Sequence, residues 1–364
     1  MSRIAILSQP KDLHTDAILW GLKTRGHEAV LWQPHLSPAA AALSIRFAQD
    51  EAVRHGIEPG GADWGGVKTV WNRRSFPPQL PSDLDPRDRA FAETESTQHL
   101  AGFLSTAWPD ALWVNPPAAT AFDLNKPLQL QLAQATGFRI PATLFSNSPA
   151  EIRAFFDAHD GNIVYKSYRQ ECWSGEEEQG GKFVNHTAAV SREDLADDRM
   201  LARCPGIFQE RLTPAHELRV TVMGDQFFCV RIDVSAEARH VPDWRSDAWG
   251  MRLSVHPLNE SLRELCRAYM TRAGIVFGCF DFIVSTSGQT YFLEVNPMGQ
   301  FLWKELHLPE LPMLDAMCAF LASGDPRFVH DDHGPQLAFS DYLEWRQVRG
   351  REAAIARVRE RAAE

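Results

Sequence analysis

Two apolar segments around a turn stand out in the sequence: Phe280-Asp281-Phe282-Ile283-Val284, the turn at Ser287-Gly288, and Tyr291-Phe292-Leu293-Glu294-Val295-Asn296-Pro297. Pairing them as a hairpin places Asp281 opposite Glu294, and the alternation of side chains directs Asn296 to the same face as Glu294. Because cross-strand Cβ atoms lie only ~4.5–5.5 Å apart, two unpaired carboxylates at these positions would repel each other. The pattern therefore predicts that something positive lies between them.

The types of these side chains favour a hard divalent cation. Two carboxylates and an amide oxygen suit magnesium, which proteins usually hold with one or two carboxylates and the phosphates of a nucleotide. The alternative is a surface hairpin whose acids are merely solvated. Phe282 and Phe292 argue against it, because they indicate a largely buried strand pair in which bare carboxylates are costly. We predict a Mg²⁺ site on Asp281, Glu294 and Asn296, with Mn²⁺ as an alternative ion.

The composition is that of an ordinary globular protein of two or three domains. The chain has 364 residues, 44% of them hydrophobic, which is enough for several cores. Its formal net charge of -10 gives no general electrostatic reason to bind nucleic acid or an anionic membrane. Six cysteines without a CxxC pair indicate neither a zinc site nor a disulfide framework. With no signal-like segment and no apolar run long enough to cross a bilayer, we expect a cytoplasmic protein.

The chain opens as an α/β domain. Strand-like residues 4–7 and 29–32 flank an amphipathic stretch over 15–25, which is the pattern of a strand-helix-strand unit. The turn at residues 8–12 contains no glycine, and this argues against a dinucleotide-binding Rossmann enzyme. We predict four parts along the chain: an N-terminal domain over 1–118, a small lid domain over 119–205, a third domain over 206–325, and a charged helical tail over 326–364.

Three cations lie in otherwise apolar or helical patterns. Lys126 opens a helix, Lys166 ends an apolar strand, and Arg219 lies in the strand-like segment 217–222. An ammonium group in an apolar strand needs an anionic partner, and a guanidinium group is well shaped to hold phosphate. Taken singly, Lys126 is as easily a solvated helix residue, and Arg219 an ion-pair partner of a nearby glutamate, either Glu217 or Glu210. Their joint occurrence favours a phosphate site.

The pattern of these charged and amide residues resembles a known superfamily, the ATP-grasp carboxylate ligases. The resemblance spans residues 120–305 and is carried by Lys126, Lys166, Gln209-Glu210, Glu217-Leu218-Arg219 and Asp281…Glu294-Val295-Asn296-Pro297. It implies an α/β fold with an N-terminal pre-ATP-grasp domain, a central α+β lid domain, and a C-terminal domain that binds nucleotide and metal. The cofactors it implies are ATP and Mg²⁺.

Further segments resemble one branch of that superfamily, the microviridin or graspetide ligases that cyclise ribosomal peptides. They cover nearly the whole chain and read Val70-Trp71-Asn72-Arg73-Arg74, Ala111-Leu112-Trp113-Val114-Asn115-Pro116, Asn125-Lys126, Cys204-Pro205-Gly206-Ile207-Phe208-Gln209-Glu210 and Asn296-Pro297-Met298-Gly299-Gln300. Residues beyond about 326 match no part of the family pattern.

The superfamily resemblance implies roles for individual residues. The nucleotide set consists of Lys126, Lys166, Gln209, Glu210, Leu212, Glu217 and Arg219. In it, the backbone over 210–212 holds the adenine edge and Glu217 holds the ribose hydroxyls, unless Glu217 is instead the ion-pair partner of Arg219. Arg219 and Arg245 are the expected catalytic residues near the acyl phosphate, although Arg245 is about as easily a surface arginine. A flexible loop over 170–182 would cover the phosphates and exclude water.

The branch resemblance implies a precursor peptide with a leader as the partner. Its leader site would be an acidic stretch formed by Glu193, Asp194, Asp197 and Asp198, although charged helix faces are usually just solvated. Arg73 and Arg74 could meet a substrate carboxylate, but an arginine pair near a domain interface is as often structural. The superfamily resemblance is also compatible with a homodimer.

The function that these observations favour is ATP-dependent ligation through an acyl phosphate. The products would be ester or amide crosslinks between side chains of a ribosomally made peptide. One alternative is an amino-acid ligase related to the ribosomal S6 glutamate ligases, which would add glutamate or another amino acid to a protein or small acceptor. An alternative of another class is a nucleotide-binding regulator without catalysis. Against it, every metal and phosphate residue that the chemistry requires is present.

Overall fold

The computed structural model describes residues 2–58, 64–168, 172–174, 182–184, 187–233, 252–331 and 336–350. The N-terminal sheet has the order β2-β1-β5-β6, and all its strand pairs are parallel. Asp12 caps the first helix, because its carboxylate accepts a hydrogen bond from the Thr15 amide. The elements of this part are β1 (Arg3–Leu7), α1 (Leu13–Thr24), β2 (Glu28–Trp32), the hairpin β3 (Ala42–Arg46) and β4 (Arg54–Glu58), β5 (Val67–Asn72), α2 (Arg89–Thr106) and β6 (Leu112–Val114).

The middle sheet has the order β11-β8-β12-β7. Its part of the chain contains α3 (Ala118–Leu124), α4 (Lys126–Thr136), β7 (Thr143–Ser146), α5 (Pro149–Ala158), β8 (Ile163–Lys166), β9 (Cys172–Ser174), β10 (Lys182–Val184), β11 (Ala188–Ala189), α6 (Asp198–Arg203) and β12 (Gly206–Glu210). Strand β12 pairs antiparallel with both β7 and β8. A domain boundary between residues 205 and 206 would therefore cut this sheet, and the sheet extends to Glu210.

The C-terminal sheet is antiparallel, in the order β15-β14-β13-β16-β17. Its elements are β13 (Pro214–Met223), β14 (Gln226–Asp233), β15 (Arg252–Val255), α7 (Glu260–Ala273), β16 (Phe277–Ser285) and β17 (Thr290–Asn296), followed by α8 (Trp303–His307) and α9 (Met313–Ser323). Two cores cover its faces. One contains residues of α3, α4 and α7, so residues 119–136 pack with this sheet rather than with the predicted lid. The other contains residues of β1, α1 and α9, together with Phe301, Leu302 and Leu308 on either side of α8.

Strand β13 shows how the sequence separates these two faces. Leu218, Val220 and Val222 alternate into the core under α4 and α7. Arg219 and Thr221 point to the opposite face, where Thr221 is fully buried. Because side chains alternate along a strand, the apolar residues anchor the strand while the polar ones are presented together on one face.

The hairpin of β16 and β17 pairs Asp281 with Glu294, as predicted, but through a β-bulge. Near the turn Val284 pairs with Thr290 and Phe282 with Phe292, a register that would continue to Leu293 opposite Asp281. The register shifts there, and Leu293 has no cross-strand partner. An extra residue in one strand changes which face the following side chains occupy. The bulge therefore lets Phe292 enter the core while Glu294, two positions later, faces the other side.

The tail of the chain is partly built into the core. Phe339 and Tyr342 are buried beside α1 and α9, although this region was predicted as a charged tail. Residues 339–350 are helical and become exposed from residue 344 onward, and the rest of the predicted terminal helix lies outside the described residues. Among the helices of the described ranges, none has both the length and the apolar character needed to cross a bilayer.

Candidate active site

The two carboxylates of the hairpin each lie against a cation. The ammonium of Lys126 is 2.8 Å from an oxygen of Glu294, and the guanidinium Nε of Arg219 is 3.2 Å from an oxygen of Asp281. Lys126 is the first residue of α4, which the Asn125 side chain caps by accepting from the Leu128 amide. Arg219 and Asp281 are direct cross-strand partners on β13 and β16. Three strands and one helix terminus therefore bring four charges together.

The neighbouring carboxylates keep the two cations in their ionised forms. Burial by itself would lower the pKa of Lys126, but attraction to Glu294, and to Asp123 and Asp281 as well, raises that pKa above its usual range. Burial likewise opposes the charge of Arg219, and attraction to Asp281, Cys279, Glu294 and Glu217 raises its pKa. Opposite charges stabilise each other strongly in a partly buried site. The site therefore contains two positive and two negative side chains, each cation paired with one carboxylate.

The oxygen donors at the end of the hairpin fit a magnesium ion. Asp281 and Glu294 oppose each other, and Asn296 lies two cross-strand pairs further along, opposite Cys279 and on the same face as Glu294. The amide oxygen of Asn296 accepts a hydrogen bond from the Met298 amide at 2.9 Å, and a carbonyl oxygen has a second lone pair for a metal. Within the described residues, no group of three or more histidine, cysteine or carboxylate side chains is arranged to hold a metal. A small oxygen set of this kind suits Mg²⁺ completed by phosphates and water.

The predicted nucleotide residues of the middle sheet form a connected chain of hydrogen bonds. The ammonium of Lys166 donates to the Gln209 side chain at 2.7 Å, and Gln209 donates to the Thr143 hydroxyl at 2.9 Å. The carboxylate of Glu210 accepts from the Ala142 amide, and the Glu210 amide donates to the Ala142 carbonyl. The Glu210 side chain therefore links the end of β12 to the residue just before β7.

The segment that follows β12 contains a backbone amide without a backbone hydrogen bond, in the described part of the chain. The amide of Arg211 donates to the Asn162 carbonyl. In the described part of the chain, the amide of Leu212 makes no backbone hydrogen bond. Leu212 is thus the position in 210–212 whose amide is available to an adenine edge.

Of the two arginines predicted to meet a substrate carboxylate, Arg73 is almost completely buried, at 1% exposure. Its guanidinium lies against the Asp12 carboxylate at 3.3 and 3.4 Å and donates to the Met298 carbonyl. Because its side chain has almost no exposed surface, Arg73 is not accessible to a substrate carboxylate, and a structural role is favoured for it. Arg74 is 37% exposed and lies 3.5 Å from the same carboxylate, so its contact with substrate stays a prediction.

Most of the predicted acidic leader site has local partners. Asp194 accepts from the Ser191 amide and hydroxyl, Asp197 caps α6, and Asp198 pairs with Arg153. These contacts give the three aspartates local partners while leaving them exposed, and a leader contact at all four acidic residues stays a prediction. Arg245 and most of the predicted 170–182 loop lie outside the described residues.

Sequence reasoning missed a buried lysine next to the site. Lys304 on α8 is completely buried, and its ammonium donates to the hydroxyl of Thr221, two residues along β13 from Arg219. Burial lowers the pKa of Lys304 to about 8. The Trp-Lys-Glu sequence at 303–305 resembles an exposed helix start, so no sequence signal marks this lysine as buried.

Replacing Lys304 by methionine should stabilise the fold at pH 7. The pKa of Lys304 in the folded protein, about 8, lies below the usual 10.5. The free-energy cost of burying the charged ammonium is therefore complete below pH 8, and it disappears as the pH rises towards the pKa of the unfolded chain. Exchange of a buried charge for an apolar group should raise the free energy of unfolding by ~1–3 kcal/mol at pH 7, with little difference above pH 10. Urea unfolding at both pH values checks this, with exposed Lys23→Met as the control. Lower stability of Lys304→Met at pH 7 would contradict it.

The geometry can be compared with known proteins. No model of a protein family matches the chain, and no curated protein matches it. Among solved structures, the macrocyclase MdnC of Microcystis aeruginosa MRC, bound with precursor peptide MdnA, is 25% identical, with a TM-score of 0.75 over 89% of this chain and 100% of that chain. A RiPP-associated ATP-grasp ligase of Chryseobacterium gregarium, in complex with ADP and a leader and core peptide, is 26% identical, with a TM-score of 0.77 over 90% of this chain and 98% of its own.

A third similar structure establishes the family. The macrocyclase MdnB of Microcystis aeruginosa MRC is 30% identical to this chain, with a TM-score of 0.69, and the match covers 88% of this chain and 99% of MdnB. The predicted fold class is confirmed, because the mixed α/β chain matches ATP-grasp relatives over almost the whole length of each. By this identity and coverage, the chain belongs to the ATP-grasp macrocyclase family of peptide-modifying ligases.

Proposed function

We propose that this protein uses ATP to join side-chain carboxylates of a ribosomally made precursor peptide to hydroxyl or amine groups of the same peptide. The observation that carries the proposal is the pair Asp281 and Glu294, which oppose each other across β16 and β17 with Arg219 and Lys126 in ion-pair contact. Metal ligands and phosphate-binding cations are thereby within reach of one another. The peptides bound to MdnC and to the Chryseobacterium gregarium ligase support a peptide as the class of substrate.

The reaction requires activation because a carboxylate is a poor electrophile. A carboxylate oxygen of the peptide attacks the terminal phosphorus of ATP, so ADP leaves and an acyl phosphate forms. A hydroxyl or amine then attacks the acyl carbon and loses its proton, and inorganic phosphate leaves with the former carboxylate oxygen. The peptide loses the elements of one water for each ring, and the products are an ester or amide, ADP and phosphate.

The residues of the chain mainly position and neutralise charge, as phosphoryl transfer generally requires. Magnesium, when bound by Asp281, Glu294 and Asn296, supplies charge neutralisation at the phosphate oxygens. Lys126 and Arg219, now paired with the two carboxylates, are placed to bind the phosphates. Lys166 and Gln209 act together through their hydrogen bond, and the Leu212 amide binds the adenine edge. Glu217, on the strand of Arg219, would hold the ribose.

The peptide would be recognised through its leader. MdnC is bound with its precursor peptide, and the Chryseobacterium gregarium ligase with a leader and a core peptide. This chain spans nearly the full length of both. We propose a precursor peptide with a leader as the partner here, with Arg74 and the acidic residues Glu193, Asp194, Asp197 and Asp198 as candidate contacts.

Mass spectrometry of the precursor peptide encoded nearest the gene tests the proposal. The peptide is incubated with enzyme, ATP and magnesium, alongside Asp281→Asn, Glu294→Gln and the exposed control Glu310→Gln. Loss of one water per ring is expected with the wild type and with Glu310→Gln only. A gain of one amino-acid residue mass would favour the amino-acid ligase instead, and no product without ATP turnover would favour the regulator.

A further inference from the structure

Three buried polar side chains of the N-terminal part converge on residues 297–302, the loop between β17 and α8. Asn115 donates to the Pro297 carbonyl at 2.8 Å. The guanidinium of Arg73 donates to the Met298 carbonyl. The ring Nε2 of His14 accepts from the amides of Phe301 and Leu302 at 3.0 and 3.2 Å. Backbone groups at both ends of the loop are thus held by side chains that lie far away in sequence.

These side chains follow the carboxyl ends of strands of the N-terminal sheet. His14 lies in the first turn of α1 after β1, Arg73 comes directly after β5, and Asn115 comes directly after β6. Open α/β sheets usually bind ligands outside the carboxyl ends of their strands. In this protein the three side chains instead bind a loop of the same chain, and that loop begins directly after the predicted metal ligand Asn296.

The three side chains are buried, and further contacts fix them beside this loop. Asn115 is 1% exposed, and its other contacts are with the backbone of Val276 and Phe277 at the start of β16. Burial lowers the pKa of His14 to about 3, so its ring is neutral and Nε2 is free to accept. An added Cβ at Gly299 would lie 2.7 Å from both Cβ and Sγ of Cys279. The loop therefore packs directly onto β16.

The hydrogen bonds of Arg73 continue to the metal ligand itself. Arg73 is anchored by Asp12 and binds the carbonyl of Met298. The amide of the same Met298 donates to the side-chain oxygen of Asn296. One continuous path, Asp12 to Arg73 to Met298 to Asn296, thus connects the cap of α1 with the end of β17. A guanidinium group is suited to this task because it can bridge a carboxylate and a carbonyl at once.

We propose that Arg73 is a positioning residue that fixes the 297–302 loop, and through Met298 orients the Asn296 oxygen towards the metal. The inference rests on the proposed function only for the identity of the metal site. Groups that orient metal ligands typically contribute 10-fold to 100-fold to metal affinity. Loss of Arg73 should therefore weaken metal binding, and saturating metal should restore most of the turnover.

The test measures Mn²⁺ binding to the ADP-bound enzyme by electron paramagnetic resonance, in Arg73→Met and in Arg25→Met. Arg25, at the end of α1, makes a partly buried ion pair with Asp315 of α9, so Arg25→Met controls for the general destabilisation that loss of such a pair causes. We expect the dissociation constant for Mn²⁺ to rise by ~10-fold or more in Arg73→Met and to stay unchanged in Arg25→Met. Faster amide hydrogen exchange of residues 297–302 should accompany the change.

Two results would overturn the proposal: an unchanged Mn²⁺ affinity in Arg73→Met, or an equal loss in Arg25→Met. Where Arg73→Met does not fold, Arg73→Lys carries the test, because a lysine keeps the positive charge beside Asp12 but lacks the planar guanidinium fork that spans Asp12 and the Met298 carbonyl. Wild-type affinity in Arg73→Lys would then overturn the proposal. Binding of Mn²⁺ and ADP without any peptide product would instead count against the proposed function and leave the positioning role standing.

Discussion

Replacing Glu294 by glutamine should lower the turnover number by ~10²-fold or more, because the change removes one of two negative charges available to the metal. Glutamine keeps the size of the side chain and a carbonyl oxygen, so the loss would reflect charge rather than shape. Asp281→Asn should have a comparable effect from the opposite strand. Initial rates of peptide dehydration, followed by mass spectrometry at saturating ATP and peptide, measure it.

The ion pairs of the site make a structural control necessary. Glu294→Gln also deprives Lys126 of its 2.8 Å partner, and Asp281→Asn deprives Arg219 of its partner. Thermal unfolding of each variant separates a loss of folded protein from a loss of chemistry, and the exposed Glu310→Gln should match the wild type in both. Undiminished turnover in Asp281→Asn and Glu294→Gln would show that the carboxylates serve only as counter-ions of the two cations.

The hairpin shows both the strength and the limit of reasoning from the sequence. A two-residue turn at Ser287-Gly288 and the alternation of side chains predict the pairing of Asp281 with Glu294. In the structure the register nearest the turn would place Leu293 opposite Asp281, and the bulge at Leu293 restores the predicted pair. The bulge itself was not predicted, because it reconciles burial of Phe292 with presentation of Glu294 on the other face and so depends on the cores on both sides of the sheet.

The boundaries of the domains were harder to predict for a related reason. Helix α4 follows the N-terminal domain in sequence and opens with Lys126, yet its apolar face belongs to the core of the C-terminal sheet. Strand β12 reads as the start of the third domain and pairs with β7 and β8. Hydrophobic periodicity identifies such elements but does not specify the sheet against which they pack.

The buried polar residues were the least predictable part of the site. Arg73 contacts Met298, and Lys304 contacts Thr221, across separations in the chain of 225 and 83 residues. Charged residues are mostly exposed, so a sequence pattern favours the surface for both. Only the fold provides the partners that make their burial tolerable.

Replacing Arg219 by lysine should lower the turnover number by ~10³-fold or more, the scale of losing an arginine that stabilises a phosphoryl-transfer transition state. Arg219 lies in the strand between the two cores, with Asp281 beside it and its pKa raised by that carboxylate. Lysine keeps the charge but has one ammonium group, so it cannot contact a phosphate oxygen and Asp281 in the fork geometry of a guanidinium group. Single-turnover rates of ADP formation with saturating peptide measure the loss.

Arg231→Lys is the matched control for this substitution. Arg231 lies on the neighbouring strand β14, opposite Leu218, and pairs with Asp233. Cross-strand partners share a face, so Arg231 lies on the face opposite to Arg219. The same exchange there should leave the rate unchanged. A wild-type rate in Arg219→Lys with a lower affinity for ATP would contradict this prediction. The guanidinium would then contribute to binding of the nucleotide and not to the transition state. Stabilisation of the transferring phosphoryl group would have to come from Lys126, Lys166 and the metal.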